Sequence, residues 1–487
     1  MENLITCVLP YGSESQSDIT LTQLKESQLV RNIVLFVRNE QKLNLHSKKC
    51  SQITGESLNS SATLQAIAQK VETPYILIYT KEESLLLGYM ALQRMVDYLQ
   101  VSSTAMVYAD HYRYIHGVKT PHPLIDYQEG SVRDDFDFGS VLLFKTAAFQ
   151  KAAEELSQQS LYHYSALYAI RLAVSRISGI THIREYLYTE QELDTRLSGE
   201  KQFDYVDPKN RQVQIEREAA FTYHLKQTGA YLPPVSTEVD LQKGQFIYEA
   251  SVIIPVYNRV RTIKDAISSA LNQQTSFPFN VIVIDNHSTD GTTEAIRSFN
   301  DSRILHLIPE RDDLGIGGCW NLAIQHNACG RFAVQLDSDD LYSSEHTLQK
   351  IVDKFYETKC AMVIGTYQMT NFQLNPIPPG IIDHSEWTDN NGHNNALRIN
   401  GLGAPRAFFT PVLRDIRVPN TSYGEDYALG LAFSRQYKIG RLYEVLYLCR
   451  RWEGNSDAAL SIEKVNKNNA YKDSLRTLEI QKRKAMN

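Results

Sequence analysis

The segment that decides the fold is Arg331-Phe332-Ala333-Val334-Gln335-Leu336-Asp337-Ser338-Asp339-Asp340. Residues 332–336 have the length of a buried strand, so the three carboxylates that follow would lie together at that strand's carboxyl end. Open α/β sheets bind their ligands at this end of their strands. Asp337 and Asp339 are two residues apart, and side chains with this spacing on an extended segment point the same way. The segment therefore predicts an α/β sheet with an acidic site at one edge.

The acid pair is suited to one hard divalent cation. Mg²⁺ is usually held by one or two carboxylates and completes its shell with substrate phosphates, and Mn²⁺ favours the same oxygen ligands. Mn²⁺ or Mg²⁺ is therefore the expected cofactor. The alternative is that the acids form a solvated turn or cap a helix that begins near Ser343, and an Asp-x-Asp motif alone does not decide between the two.

The composition is that of an ordinary soluble protein. The 487 residues are 43% apolar and 22% charged, which suits two or three globular domains. A net charge of -6, with no basic block before the last few residues, argues against nucleic acid as a partner.

The amino terminus has neither the basic lead nor the apolar core of a signal peptide, and no apolar run is long enough for a transmembrane segment. Six cysteines occur without a Cys-x-x-Cys motif, which suits reduced thiols in the cytoplasm. The basic residues at 481–484 could contact anionic lipid at the inner face of the membrane, although so short a charged run usually marks a solvated helix end.

The second half of the chain repeats the first. Four segments recur in the same order, at offsets of 256, 256, 259 and 259 residues: 91–97 as 347–353, 105–107 as 361–363, 172–176 as 431–435, and 185–188 as 444–447. Each half also ends in a polar helical pattern, at 210–227 and 465–484. Four matches in order indicate a duplicated domain rather than chance.

Glycine, two prolines and serine interrupt the pattern at 229–236 and mark the boundary. We predict a first domain at 1–233, a linker at 234–247, a second domain at 248–460 and a helical tail at 461–487. Buried strands alternate with helical patterns in each domain, which predicts two tandem Rossmann-like domains with mostly parallel sheets. In the first domain the expected strands are 4–10, 32–37, 75–79 and 105–108, and the expected helices are 21–29, 63–71 and 87–99.

In the second half, two buried strands are followed by polar turns. Residues 251–258 run into a turn, and the strand at 279–284 ends in Asp285 with a loop rich in hydroxyls and amides. A carboxylate there can accept a hydrogen bond from a nucleoside. Ser288 or Asp290 could instead serve only to cap the helix expected at 293–299.

These residues resemble the family 2 glycosyltransferases of the GT-A fold over about 248–460, and the first half resembles a degraded copy. The matching motifs are Ile-Pro-Val-Tyr-Asn at 254–258, the strand end and loop at 284–292, the segment 315–330 with Asn321, Asp-Ser-Asp-Asp at 337–340, and the Glu-Asp pair within 423–427.

The resemblance implies a metal-dependent, inverting transfer of a sugar from a nucleotide diphosphate sugar, with UDP expected, to an acceptor hydroxyl. The acceptor would be a glycan or a lipid-linked saccharide in bacterial surface polysaccharide synthesis. Asp426 would be the catalytic base, with Glu425 as its rival, and neighbours on a helix point about 100° apart, so one of them should face the acceptor. Asp339 would bind the metal. The implied nucleotide-sugar-binding residues are Pro255, Tyr257, Asn258, Asp285, Asn321, Asp337 and Arg450.

Several nearby residues have two interpretations. The loop at 393–406 has glycines, amides and Arg406 that suit close approach to a sugar or diphosphate, or it is an ordinary surface connection. Trp387 and Trp452 are either sugar platforms or core residues. His384 and His393 could bind metal, but lone histidines usually form only hydrogen bonds.

The first half changes the chemical type at each of these functional positions. We therefore expect the first domain not to transfer sugar, and to bind acceptor, order the second domain or mediate assembly instead. The corresponding residues are Arg38 for Asp285, Thr80-Lys81-Glu82-Glu83 for Asp-Ser-Asp-Asp, Leu167 for Asp426 and Gln191 for Arg450. A differently built site remains an alternative, with the acids Asp110, Asp134, Asp135 and Asp137.

Two other classes of protein are considered. A sugar nucleotidyltransferase would need a Gly-rich basic signature for a triphosphate, and residues 9–13 offer none. A non-catalytic carbohydrate-binding or scaffold protein is disfavoured by the intact acids at 285, 337, 339 and 426.

Overall fold

A computed structural model of the protein describes residues 2–12, 14–38, 42–45, 47–101, 103–193, 210–385, 387–452, 454–455 and 460–487. The chain folds into two compact units. The first contains the described residues of Met1–Ser198, Asn210–Tyr231 and Leu460–Asn487, and the second those of Leu232–Ala459. The chain therefore leaves the first unit, builds the second, and returns to the first.

The first unit is built on one nine-stranded sheet. Its strands are β1 (Ile5–Pro10), β2 (Val30–Arg38), β3 (Cys50–Gly55), β4 (Tyr75–Tyr79), β5 (Leu85–Leu87), β6 (Thr104–Ile115), β7 (Val118–His122), β8 (Val141–Lys145) and β9 (Gly179–Gln191). Its first helices are α1 (Glu14–Glu26), α2 (Ser61–Lys70), α3 (Ala91–Val101), α4 (Thr146–Glu155), a 3₁₀ turn at Leu156–Gln158, α5 (Ala166–Ile177) and α6 (Arg211–Thr228).

The strand order of this sheet is β3-β2-β1-β4-β8-β6-β9-β5, with β7 paired to β6. Strands β1 to β4, β6 and β9 run in one direction, and β5, β7 and β8 run against them. β1 and β4 are buried along their whole length, as expected for central strands of a sheet covered on both faces.

The second unit is built in the same way from nine strands. These are β10 (Ala250–Val256), β11 (Phe279–Asp285), β12 (Ile304–Leu307), β13 (Phe332–Gln335), β14 (Leu341–Tyr342), β15 (Met362–Asn371), β16 (Pro376–Ile382), β17 (Arg406–Phe409) and β18 (Ile439–Arg451). Its helices are α7 (Ile263–Leu271), α8 (Thr292–Arg297), α9 (Ile316–Gln325), α10 (Thr347–Thr358), α11 (Gly392–Asn395), α12 (Thr410–Ile416) and α13 (Glu425–Gln436).

The second sheet repeats the first strand for strand, in the order β12-β11-β10-β13-β17-β15-β18-β14, with β16 paired to β15. β10 lies between β11 and β13 and is parallel to both, with Val256 opposite Asp285 and Ala250 opposite Phe332. This register brings the ends of β11 and β13, and the acids that follow them, to the same edge of the sheet. The predicted α/β class with two tandem domains is confirmed.

The last helix, α14 (Ile462–Met486), belongs to the first unit. Asp473 on this helix is fully buried and binds Arg133 at 3.1 Å and Arg476 at 3.0 Å. The Ser131 hydroxyl also donates to Asp473, at 3.0 Å. The segment predicted as a tail therefore contributes buried charges to the first unit. Within the described residues, no helix combines the length and apolar character needed to cross a bilayer.

Candidate active site

Asp337 is held at the end of β13 by its neighbours in the sheet. Its backbone N–H donates to the Tyr447 hydroxyl at 3.0 Å, and the Gln335 side-chain amide donates to both carboxylate oxygens at 2.9 and 3.0 Å. Burial raises the pKa of Asp337, while the Arg406 charge acts in the opposite direction. The carboxylate is therefore fixed in direction before any ligand binds.

Asp339 turns toward the segment that follows β18. Its Oδ2 accepts hydrogen bonds from the Trp452 indole at 3.3 Å and from the Asn455 amide at 3.2 Å, and Arg259 Nε lies 3.8 Å away. The Asp339 backbone carbonyl accepts a hydrogen bond from Arg450 Nε. The Asp339 carboxylate is therefore held by two neutral donors, Trp452 and Asn455, with the Arg259 cation nearby.

Asp340 has a structural role beside the site. It is 5% exposed, and its Oδ1 accepts the backbone N–H of Arg450 at 2.7 Å. Burial, together with the charges of Asp339 and Asp337, raises its pKa well above the ordinary value for Asp. This carboxyl group therefore joins the β13 turn to β18.

The Glu-Asp pair opens helix α13. Asp426 Oδ1 accepts the Tyr427 backbone N–H at 2.7 Å, and its Oδ2 lies 3.0 Å from Arg406 Nη1. Glu425 differs, because burial and the nearby Asp426 charge raise its pKa to about 8. Glu425 Oε2 is buried without a hydrogen-bond partner in the described structure. Asp426 is thus the member of the pair that faces a cation.

Arg450 lies in a basic and aromatic cluster beside Asp339. It is 3% exposed, pairs with Asp265 at 2.9 Å, and places its guanidinium 5.1 Å from the Phe372 ring centre. Arg261 lies 5.2 Å from the same ring and 4.9 Å from the Trp452 ring. The cluster concentrates positive charge next to the proposed metal ligand.

Asp285 is fully buried at the end of β11. It accepts hydrogen bonds from the Ser288 backbone N–H at 3.0 Å and the Thr293 hydroxyl at 2.5 Å. Burial acts to raise its pKa, but these hydrogen bonds outweigh burial and the pKa is lowered. Ser288 therefore forms its hydrogen bond within the loop. At the start of helix α8, the Thr292 backbone N–H donates to Asp290 Oδ1 at 3.0 Å.

Tyr257 and Asn258 follow β10 at the same edge. Tyr257 is 57% exposed, whereas Asn258 adopts a positive φ of 52° and accepts the Thr289 N–H at 2.8 Å. Pro255 lies within β10, opposite Ile284. Asn321 is placed differently, because both ends of its amide bind the Val418 backbone, at 2.7 and 3.0 Å. These two bonds give Asn321 a structural part in joining α9 to the segment before α13.

The remaining candidates divide between core and site. Trp387 is 7% exposed and His384 2% exposed, and His393 Nε2 lies 2.8 Å from the Leu232 carbonyl. Trp452, by contrast, contacts Asp339. The described residues contain no group of three or more His, Cys, Asp or Glu side chains arranged to hold a metal ion.

Sequence reasoning missed several residues that organise the site. Gln335 and Tyr447 orient Asp337, and Arg259 and Asn455 contact Asp339. Gln335 carried a usable signal, because it is a buried polar residue inside an otherwise apolar strand. A polar group placed there needs a hydrogen-bond partner.

Residues 251–414 match the model of glycosyl transferase family 2. The second unit carries a family 2 glycosyltransferase domain. The GT-A class predicted for the chain agrees with this match and with the duplicated strand order.

Two curated relatives each match part of this chain. The Escherichia coli UDP-Glc:alpha-D-GlcNAc-diphosphoundecaprenol beta-1,3-glucosyltransferase WfgD is 35% identical over 124 residues, which is 26% of this chain and 47% of that protein. Chondroitin synthase from Pasteurella multocida is 27% identical over 186 residues, 38% of this chain and 19% of that protein. The chain thus spans less than half the length of these relatives.

A solved structure, Staphylococcus aureus TarS 1-349 in complex with UDP-GlcNAc, aligns with 47% of this chain and 70% of its own at 20% identity. The TM-score is 0.37, a similarity too weak to carry an argument.

Proposed function

We propose that the second unit is an inverting glycosyltransferase that moves a sugar from a nucleotide diphosphate sugar to an acceptor hydroxyl. The observation that carries the proposal is that Arg406 connects Asp426, by an ion pair, to Asp337, through Gln335, within a chain whose residues 251–414 match family 2. These acids come from the end of β13 and the start of α13, nearly 90 residues apart in sequence. Acids drawn together from distant segments favour a site over a local cap.

In this mechanism Asp426 takes the proton of the acceptor hydroxyl as its oxygen attacks the anomeric carbon. The bond from that carbon to the diphosphate oxygen breaks, and its electron pair leaves with the diphosphate. Attack on the face opposite the leaving group inverts the configuration. One positioned base is sufficient for such a displacement.

We propose that the donor is bound at the edge formed by β10, β11 and β13. Tyr257 offers an exposed ring for the base, and Pro255, Asn258 and Asp285 shape the loop beside it. Asp337 would contact the ribose side of the nucleotide. The side-chain amide of Asn321 is hydrogen-bonded to the Val418 backbone. We therefore propose that Asn321 acts on donor binding indirectly, by fixing the position of α9.

The carboxylates of Asp337 and Asp339 are oxygen ligands of the kind that Mn²⁺ or Mg²⁺ would take, and such ions commonly complete their shell with phosphate oxygens. Asp339 would hold the ion, and the ion would neutralise charge that develops on the leaving diphosphate. Arg450, beside Asp339 in the basic cluster, adds fixed positive charge for the same phosphates.

The proposed setting is bacterial surface glycan synthesis, with a UDP-sugar donor and a glycan or lipid-linked acceptor. It is supported by the names of partial relatives, which include a UDP-Glc-dependent enzyme acting on a diphosphoundecaprenol-linked sugar. A cytoplasmic location, with contact at the inner membrane face, is proposed as well. Six free cysteines support a reducing compartment.

A donor screen with Mn²⁺ or Mg²⁺ tests the proposal by measuring nucleotide release and transfer to saccharide acceptors. The Asp426→Asn variant should lose about 10²–10⁴-fold in turnover, the usual contribution of a general base, while donor binding remains. Asp415→Asn is the matched control, since Asp415 is an exposed acid in the same domain. Unchanged turnover in Asp426→Asn would remove this residue from the role of base.

A further inference from the structure

Arg406 is a resident cation among the acids of the proposed active site. Its side chain is 17% exposed, and its Nη1 lies 3.0 Å from Asp426 Oδ2. The same Nη1 donates to the Gly403 carbonyl at 2.7 Å. The guanidinium is thus anchored on its own loop and directed at one carboxylate oxygen.

A second contact connects Arg406 to the nucleotide side of the site. Its backbone N–H donates to Gln335 Oε1 at 3.2 Å, and Gln335 Nε2 binds both oxygens of Asp337. A chain of hydrogen bonds and one ion pair therefore runs from Asp337 through Gln335 and Arg406 to Asp426. The first residue of β17 fixes both ends of the proposed site.

The ion pair between Arg406 and Asp426 lies among several other acidic groups. The negative charges of Asp426, Asp337 and Glu425 all act on the Arg406 guanidinium. Burial acts to lower the pKa of Arg406, but the neighbouring acids outweigh burial and the pKa is raised. Because burial raises the pKa of Glu425 to about 8, this residue is largely neutral near pH 7. The guanidinium is then left to compensate Asp337 and Asp426.

We infer that Arg406 is a positioning residue for the catalytic base, holding Asp426 Oδ2 in place and keeping that carboxylate ionised for the acceptor hydroxyl. The inference rests on the proposed function, since it takes Asp426 as the base. A cation at this distance favours the ionised carboxylate, typically by about 1–3 pH units. Arg406 thereby sets the acidic limit of the pH range over which the enzyme works.

The test compares the full-length wild type with Arg406→Lys and Arg406→Gln. Nucleotide release from the UDP-sugar that the wild type uses best is measured with Mn²⁺ across a range of pH, giving kcat and acceptor KM. Arg406→Gln should move the acid limb of the kcat profile upward by about 1–3 pH units. Arg406→Lys should stay near the wild-type limb, because the charge is kept.

Identical profiles for wild type and Arg406→Gln, or equal shifts in both variants, would overturn the inference. If Arg406→Gln does not unfold cooperatively on heating, the wild-type profile decides. An acid limb below about pH 3.9, the pKa of an unpaired Asp, supports pairing, and a limb at or above that pH overturns it. A wild type that releases no nucleotide from any sugar nucleotide overturns the proposed function and this inference together.

Discussion

The two units share one strand order but differ in the side chains at the same strand ends. β2 ends at Arg38 where β11 ends at Asp285, and β4 is followed by Lys81 where β13 is followed by acids. Lys81 pairs at 2.7 Å with Glu190, which is 1% exposed. The first unit has an ion pair at the position where the second unit has the carboxylates proposed to bind the donor and its metal.

The acids that could have formed another site in the first unit are also paired. Asp110 binds His182 and the Leu124 N–H, Asp135 binds Arg133, and Asp137 binds Arg113 and His122. The fourth acid, Asp134, lies 3.6 Å from Arg217 Nη1, so each of these four carboxylates has a basic side chain beside it. The comparison teaches that a duplicated sheet keeps its strand order when its strand-end chemistry changes, and it supports a non-catalytic first unit as a proposal.

The largest expected effect concerns the buried charges that α14 brings to the first unit. Asp473→Ala leaves Arg133 and Arg476 without their shared partner, and breaking a buried ion pair costs about 3–5 kcal/mol. All three tryptophans lie in the second unit. Urea unfolding followed by far-ultraviolet circular dichroism should therefore show an earlier transition, while tryptophan fluorescence reports an unchanged second unit.

The exposed Lys482→Gln substitution on the same helix is the control, with an expected change within about 0.5 kcal/mol. An equal loss in the fluorescence transition would contradict independent stabilities. The same contacts bear on fragment design, because residues 1–233 alone would lack Asp473. A sugar-transfer assay on the first unit should therefore use the full chain with the second site inactivated.

The next largest expected effect is on sugar transfer, and it compares the turn after β13 with the turn after β4. Asp339→Asn should lower transfer by about 100-fold or more, because a bound cation contributes several kcal/mol to charge stabilisation. Its counterpart in the first unit, Glu82, pairs with Arg38 at 3.2 Å on the surface. Glu82→Gln should leave turnover within about twofold, since exposed ion pairs contribute little. A matching loss in both variants would mean that the first unit takes part in transfer.

The fold could be predicted where apolar patterns are long. The strand at 75–79 was predicted with the observed bounds. α1 spans Glu14–Glu26 rather than 21–29, because residues 14–18 contain no apolar residue from which to read a helical period. The short antiparallel strands β8 and β17 were missed, since such strands are defined by pairing with distant segments rather than by their own sequence.

The site could be predicted only where the chemistry is local in sequence. Asp337, Asp339 and the Glu-Asp pair lie in short motifs, and the structure connects Asp337 to Asp426 through Gln335 and Arg406. The ion pair between Arg406 and Asp426 joins residues 20 positions apart, on β17 and α13, and no local pattern in the sequence relates the two. For Asn321 the motif predicted donor binding, but the structure shows its side-chain amide hydrogen-bonded to the Val418 backbone.

The smallest expected effect is a pH dependence of stability in the first unit that the second unit should not share. His182, with a 3% exposed side chain, lies between Asp110 at 2.8 Å and Asp126 at 2.9 Å. Burial acts to lower its pKa, but the two carboxylates outweigh burial and the pKa is raised. A group whose folded-state pKa exceeds its unfolded value of about 6.5 stabilises the fold fully below that pH. This contribution is lost as the pH rises through the folded-state pKa.

His182→Gln should therefore destabilise the first unit at pH 6, and the difference from wild type should shrink toward pH 9. The expected difference is smaller than that of Asp473→Ala, and the same circular dichroism titration measures it at both pH values. His346→Gln, an exposed histidine of the second unit, should change neither transition. A difference that stays constant with pH would show that His182 acts through packing against Tyr108, whose ring centre lies 5.1 Å away, and not through its charge.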